Sequence, residues 1–184
     1  MTPPPQVLLI PDGLRPFRTE ARDYEETQEL LAHLRELRAN RQPFYLTEDD
    51  LELIYRWKLE RQYGRQQAKR ARNTDAVYRA ITRAAFEVDD GGSDYEAEVR
   101  LGVLMALPGI GIGVASAILA LGDPARYCVI DFRGWRSVFA EERRDFWIPQ
   151  YVEYRRAVKE LAQALDWSVQ ETDLAAWAMD ETRS

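Results

Sequence analysis

Three glycines at alternate positions stand between two apolar stretches in Leu107-Pro108-Gly109-Ile110-Gly111-Ile112-Gly113. Glycine tolerates positive φ and close backbone approach, and a helix restarting near Ile112 presents leading amides that have no partner within it. Such a helix start is an anion site, and a nucleic-acid phosphate fits it without any reading of base sequence. The same spacing also suits a tight turn between two helices with no ligand. No strand precedes the glycines and no Gly-Lys-Ser/Thr follows them, which argues against a dinucleotide fingerprint or P-loop. Further along, Asp131 follows Val129-Ile130 and opens a new helical stretch. Exposed amides and the helix dipole favour its charged form there. It either caps the helix, a common duty of Asp, or stabilises developing positive charge, and the two roles can coexist.

The rest of the composition narrows the chemistry. One Cys, Cys128, and one His exclude an internal disulfide and leave no basis for a zinc or iron-sulfur site built from those residues. Catalysis must then rest on carboxylates, arginines and backbone groups. The net charge of −6 argues against a nucleic-acid binder as an average, but the average hides an asymmetry. Nine basic residues between Arg56 and Arg83 face only Glu60 and Asp75, a local +7 that leaves −13 for the remainder. That pattern suits one positive face, or simply a solvated surface.

These residues need helices to hold them. Residues 1–18 are proline-rich and lack helical period, so they read as a loose N-terminal arm or one short extended segment. Apolar spacing predicts helices over 19–40, 47–63, 74–88, 94–107 and 112–122, with further ones near 133–142, 149–165 and 170–179. Thr47 before three acids, Thr74 or Asn73, and the Gly91-Gly92 turn mark the boundaries. Val129-Ile130 is the one β-like piece of this later region and is too short to found a sheet. The class is all-α, large enough for one sizeable core or for two small lobes sharing a cleft. The apolar stretch Val7 to Ile10 is too short for a signal segment or a membrane span, so a cytoplasmic, nucleoid-associated protein is expected.

The segments LPGIGIGVASAIL and YCVIDFRGWRSV resemble the helix-hairpin-helix, Gly/Pro-rich loop and aspartate signature of one DNA glycosylase superfamily. Endonuclease III, the adenine mismatch glycosylase, the 3-methyladenine glycosylases and 8-oxoguanine glycosylase share it. The strong match covers residues 104–138, and weaker similarity in helix order extends over most of the chain. The resemblance implies two helical lobes with a DNA cleft between them: 44–124 as a helical barrel ending in the hairpin, and 19–43 plus 125–184 as a discontinuous lobe carrying Asp131. It makes Asp131 the catalytic carboxylate, stabilising an oxocarbenium-like transition state and orienting water. Gly109, Gly111 and Gly113 become phosphate-binding positions, with Arg133 and Arg136 beside them and Arg126 a weaker third. An ion pair to Glu141 or Glu142 is the competing role for Arg136. Asp173 is expected to be a cap or ion-pair partner rather than a second catalytic acid.

One position departs from the family. Bifunctional members carry a lysine at the start of the second hairpin helix, which forms a Schiff base with the sugar; Gly113 stands there, and residues 107–130 hold no lysine. A monofunctional enzyme that uses water is therefore expected. The missing four-cysteine loop points to cluster-free branches such as the alkylation-repair enzymes, with no cofactor beyond room for a monovalent cation at the hairpin backbone. Double-stranded DNA is the expected partner of a monomer. A flipped base sits between aromatic or apolar side chains, and Trp57, Phe132 and Trp135 are the pocket candidates, Trp57 first because it lies in the basic stretch; Tyr55, Tyr63, Trp147 and Trp177 follow. Two other classes stay open: a non-catalytic helix-hairpin-helix DNA-binding module, and a protein-interaction domain that kept the fold.

Overall fold

The computed structural model describes residues 6–183 and, among these, is all-helical with no strand. Its α-helices are α1 (Tyr24–Asn40), α2 (Glu48–Leu59), α3 (Gln67–Arg70), α4 (Asp75–Glu87), α5 (Asp94–Met105), α6 (Ile112–Gly122), α7 (Phe132–Phe139), α8 (Ile148–Leu165) and α9 (Val169–Arg183). Two 3-10 segments, Pro11–Phe17 and Glu60–Gln66, complete the set. No helix is long and apolar enough to cross a membrane among these residues.

Local chemistry explains most boundaries. Thr47 caps α2 by accepting from the Asp50 amide at 3.2 Å, and the Asp50 carboxylate in turn accepts from the Thr47 amide at 2.8 Å. Thr74 and Ser93 cap α4 and α5 in the same way. The helix expected over 47–63 stops at Leu59 because Glu60 takes φ 40°, a left-handed conformation that a helix cannot propagate. The chain then turns into the 3-10 segment Glu60–Gln66, none of whose residues is buried.

The N-terminal region corrects an expectation. Residues 1–5, including the Pro3-Pro4-Pro5 run, lie outside the described residues. Pro11–Phe17 is a 3-10 helix packed on α8 and α9, with Leu14 fully buried, and the Leu8 amide donates to Val138 O at 2.9 Å. A single 3-10 stretch has too little length to show a period, so the sequence looked structureless there.

Buried side chains from Leu14 to Met179 form one continuous apolar cluster. The central helix is α6, apolar on every face and buried from Val114 to Gly122, as a helix surrounded by others should be. It receives α1, α2 and α5. Helix α1 thus packs on α2 and α6, not only with the residues after 125 as its grouping with them implied; its first residue, Tyr24, joins a small cluster with Leu174 and Ala178 of α9. Helices α7, α8 and α9 pack on one another, and Gly134 allows this: a Cβ there would collide with the Tyr154 hydroxyl.

Candidate functional site

The hairpin between α5 and α6 is built as its glycines suggest. Gly109 has φ 84°, and a Cβ there would lie 2.9 Å from the backbone N of Arg70, so both conformation and space require glycine. Gly111 is the N-cap of α6 and offers no side chain to the leading amides. These residues line an open groove with Lys58, Gln62, Arg65, Gln66 and Lys69. Leu107 O accepts from Ile110 N at 3.1 Å and Pro108 O from Asn73 Nδ2 at 3.0 Å.

Asp131 is the N-cap of α7. Its Oδ1 accepts from the amides of Arg133 and Gly134, both at 3.0 Å, which fixes the carboxylate plane. Its Oδ2 faces Lys58 Nζ at 3.3 Å, with both side chains largely but not wholly covered, at 23% and 16% exposure. Lys58 is the residue that sequence reasoning missed as a site residue. It stands near the end of α2 on the stripe of Leu51, Ile54 and Tyr55, all buried; a charge at that register of an otherwise apolar face is the signal that could have found it. Its Cε lies 4.0 Å from where a Cβ on Gly113 would stand. The absence of lysine from 107–130 therefore does not keep an ammonium away from the hairpin.

Lys58 and Asp131 stand at a small pocket of about 90 Å³, walled by Trp57, Val129, Leu174 and Trp177 and edged by Asp23, Glu60, Gln170 and Asp173. Asp173 is neither a cap nor an ion-pair partner, contrary to expectation. It sits in the body of α9, 5% exposed, accepting from the Tyr154 hydroxyl and from the Val129 amide at 2.8 Å. Burial pushes its pKa up to about 7 against the pull of those two donors, and the nearby Asp131 carboxylate adds to the rise. By holding Val129, Asp173 positions the strand of chain that delivers Asp131.

Outside the pocket runs a wider groove bordered by Arg22, Lys58, Arg61, Arg65, Arg133 and Arg144, against Glu60, Asp131 and Asp145. Part of the basic stretch thus converges with arginines from elsewhere. Arg79 and Arg83 do not join it; they pair along α4 with Asp75 at 2.5 Å and Glu87 at 2.8 Å. Trp147, 68% exposed, sits on the groove rim.

Several expected site residues fall elsewhere. Arg136 is engaged by Asp180 at 2.7 Å and Glu142 at 2.6 Å, so its ion-pair role prevails over a phosphate contact. Arg126 is held by Asp123 at 2.7 Å and Glu96 at 3.2 Å. Arg133 does line the groove, with Asp180 3.5 Å from its Nη1. Trp135 is fully buried against Phe139, Phe146 and Tyr154 and is core, because α7 turns that face inward. Phe132 lines the outer groove rather than the pocket, under the guanidinium groups of Arg133 and Arg144. Trp57 does form a pocket wall, but it is 9% exposed and its indole N–H donates to Thr27 Oγ1 at 3.0 Å, a packed residue rather than a free stacking platform. No protein-family model, curated protein or solved structure matches this chain.

Proposed function

We propose that this chain is a DNA N-glycosylase that draws a damaged or modified base from duplex DNA into the pocket beside Asp131 and breaks its glycosidic bond. The observation that carries the reading is the state of the Asp131 carboxylate: one oxygen is held by two backbone amides, and the other faces Lys58 beside the pocket, next to the hairpin. Duplex phosphates rest on the leading amides of α6 and on Arg65 and Lys69 of the adjoining groove. Loss of the base builds positive charge on the deoxyribose, and the fixed carboxylate stabilises it with no reorganisation at the moment of reaction. Water then takes the C1′ position and an abasic site remains.

A second route is favoured by Lys58. Its amine reaches the neighbourhood of Gly113 from α2, so it is positioned to attack C1′ in place of water once deprotonated, giving a Schiff base and strand cleavage. One experiment separates the readings: duplexes bearing uracil, alkylated purines, 8-oxoguanine, mismatched adenine or modified cytosines, treated with wild type, Asp131→Asn and Lys58→Gln, with and without borohydride. Base release that drops by about 100-fold or more in Asp131→Asn supports the glycosylase. Release unchanged in that variant sinks it. A borohydride-trapped adduct lost in Lys58→Gln establishes the amine route, and untrapped abasic product the hydrolytic one. Salt-sensitive duplex binding with no release on any substrate would leave a binding module instead.

A further inference from the structure

The residues of the pocket divide by what else they border. Lys58, Glu60, Asp131 and Trp177 also line the outer groove and so form the mouth, whereas Val129, Gln170, Asp173 and Leu174 line the pocket and not the groove, and form its floor. The charged side chains of mouth and floor are partnered. Glu60 meets Arg22 Nη2 at 2.5 Å, Lys58 meets Asp131, and Asp173 is held by Tyr154 and Val129.

Gln170 differs. It is the second residue of α9 and 3% exposed, and its backbone amide donates to Pro124 O at 3.0 Å. Neither atom of its side-chain amide has a hydrogen-bond partner among the described residues. Nor is either atom sealed in the interior, as Asp23 Oδ1 is. An amide in that state faces open space, and the pocket is the space that Gln170 borders. Its desolvation is returned by no neighbour. A ligand edge with one donor and one acceptor side by side satisfies both halves of it.

The volume limits what that edge can belong to. About 90 Å³ is less than the roughly 150 Å³ of an apolar cavity that takes up one benzene ring. A six-membered ring therefore enters edge first, between the apolar walls, with its remainder in the mouth. The second ring of a purine has no room beside it. With C1′ at the mouth next to Asp131, the edge that reaches the floor is the one farthest from the glycosidic nitrogen. In a pyrimidine this is the N3–C4 edge, which carries a donor and an acceptor on adjacent positions in uracil and cytosine types alike.

Resting on the glycosylase reading, we propose that Gln170 is the specificity-determining residue of the pocket and that the substrate is a pyrimidine, whose N3–C4 edge pairs with the Gln170 side-chain amide. Toward a uracil- or thymine-type base the amide N–H donates to O4 and its carbonyl accepts from N3–H. Toward a cytosine-type base the amide turns over: its carbonyl accepts from the N4 amino group and its N–H donates to N3. Volume excludes purines. A pyrimidine blocked at N3 is excluded by chemistry, because a site built to hydrogen-bond its ligand rejects one that leaves the buried group unpaired. The substrate class thus departs from the alkylation-repair branch that the missing cluster suggested.

Single-turnover release from duplexes bearing uracil, thymine opposite guanine or modified cytosines, set against 8-oxoguanine, mismatched adenine and 7-methylguanine, tests the proposal with wild type, Gln170→Leu and Asp131→Asn. Wild type should release a pyrimidine, and Gln170→Leu should lower that rate by about 10- to 100-fold. The variant should unfold at the wild-type temperature or above it, because the amide removed has no partner in the free protein. The NMR signals of the Gln170 side-chain amide in wild type give a readout that needs neither turnover nor a folded variant. They should shift with 1-methyluracil or 1-methylcytosine and stay in place with 1,3-dimethyluracil and 9-methyladenine. Release confined to purines, pyrimidine release unchanged in Gln170→Leu, or amide signals unmoved by both 1-methylpyrimidines overturns the proposal. When Asp131→Asn is inactive in those cases, this inference alone falls. Where wild type releases nothing, or Asp131→Asn is unimpaired, the glycosylase reading falls and this one with it.

Discussion

Two clusters of charge in this molecule use similar side chains and reach opposite states. Around Glu96, fully buried, the carboxylate accepts from the amides of Asp90 and Gly92 at 2.7 and 2.8 Å and from the Tyr127 hydroxyl at 2.5 Å, with Arg100 at 3.2 Å. Arg100 donates twice to Val88 O, and Arg155 donates to Arg126 O, Gly92 O and Asp94. Despite burial, these partners hold the Glu96 pKa down at about 2. Around the pocket, by contrast, Asp23 Oδ1 is buried without a hydrogen-bond partner, Asp173 is raised to about 7, and Lys58 and Asp131 meet at 3.3 Å. The first cluster joins the turn after α4 to α5 and α8. Each cluster leaves a buried polar atom without a hydrogen bond, Arg100 Nη1 in the first and Asp23 Oδ1 in the second, but the second stands beside a pocket, where unsatisfied polar groups meet ligands. Mutations should therefore separate cleanly: stability from the first cluster, chemistry from the second.

The largest effect is expected at Glu96. Glu96→Gln leaves the buried Arg100 with only the more distant Asp123, at 3.9 Å, as charge partner, and removing one member of a buried pair costs about 3–5 kcal/mol. Urea unfolding at pH 7 measures it. Because the Glu96 pKa is depressed in the folded state, its contribution is present above the unfolded value near 4.5 and is lost as pH falls toward about 2. The gap between wild type and variant should close over that window, while base release per folded molecule stays intact. A gap that persists at low pH would mean the pairing is not electrostatic in origin.

Gly109→Ala comes next. The substitution forces a side chain into φ 84° and against the Arg70 backbone, with a loss of about 1–3 kcal/mol. Duplex affinity should fall as well, since the hairpin cannot keep its shape, and titration against the wild type's salt dependence checks this. Full affinity at reduced stability would remove the hairpin from the nucleic-acid contact.

What could be read from sequence divides along the same line as the two clusters. Helix α6 was expected over 112–122 and is found at Ile112–Gly122, since Pro108 and the glycines fix its start through bonds and sterics within a few residues. Asp131 was legible for the same reason: its cap partners are its immediate neighbours. Lys58 and Asp23 reach the pocket only through packing of α2 and α1 on α6, and no local rule specifies that. Asp173 lay between these cases. It shares a face of α9 with Gln170, Leu174 and Trp177, all lining the pocket, and an acid on a largely buried face is a readable anomaly. Trp135 misled because an aromatic at helical spacing serves core and pocket alike.

Asp173 supplies a pH-dependent prediction. Its folded pKa of about 7 stands above the ordinary carboxylate value, so between about pH 4 and 7 the folded protein holds a proton that the unfolded chain releases. Stability falls as pH rises through that window. Asp173→Asn does not titrate there. Its stability relative to wild type should climb from pH 4 to pH 8, by about 1.4 kcal/mol for each unit by which the folded pKa exceeds the unfolded one, while the weakened bonds to Tyr154 and Val129 offset the difference equally at every pH. A flat difference would show that Asp173 is ionised throughout, and the contrast with Glu96 would narrow.

The smallest expected effect is the sharpest test of the contrast. Thr47 and Asp23 both occupy N-cap positions, yet one accepts an amide bond and the other does not. Thr47→Ala should lose about 1 kcal/mol, the ordinary value of a cap. Asp23→Ala should change stability by less than about 0.5 kcal/mol, because the carboxyl removed makes no bond to the leading amides of α1. Thermal unfolding of the two variants side by side, at pH 7, decides the matter. A cap-sized loss at Asp23 would mean that its carboxyl supports α1 after all.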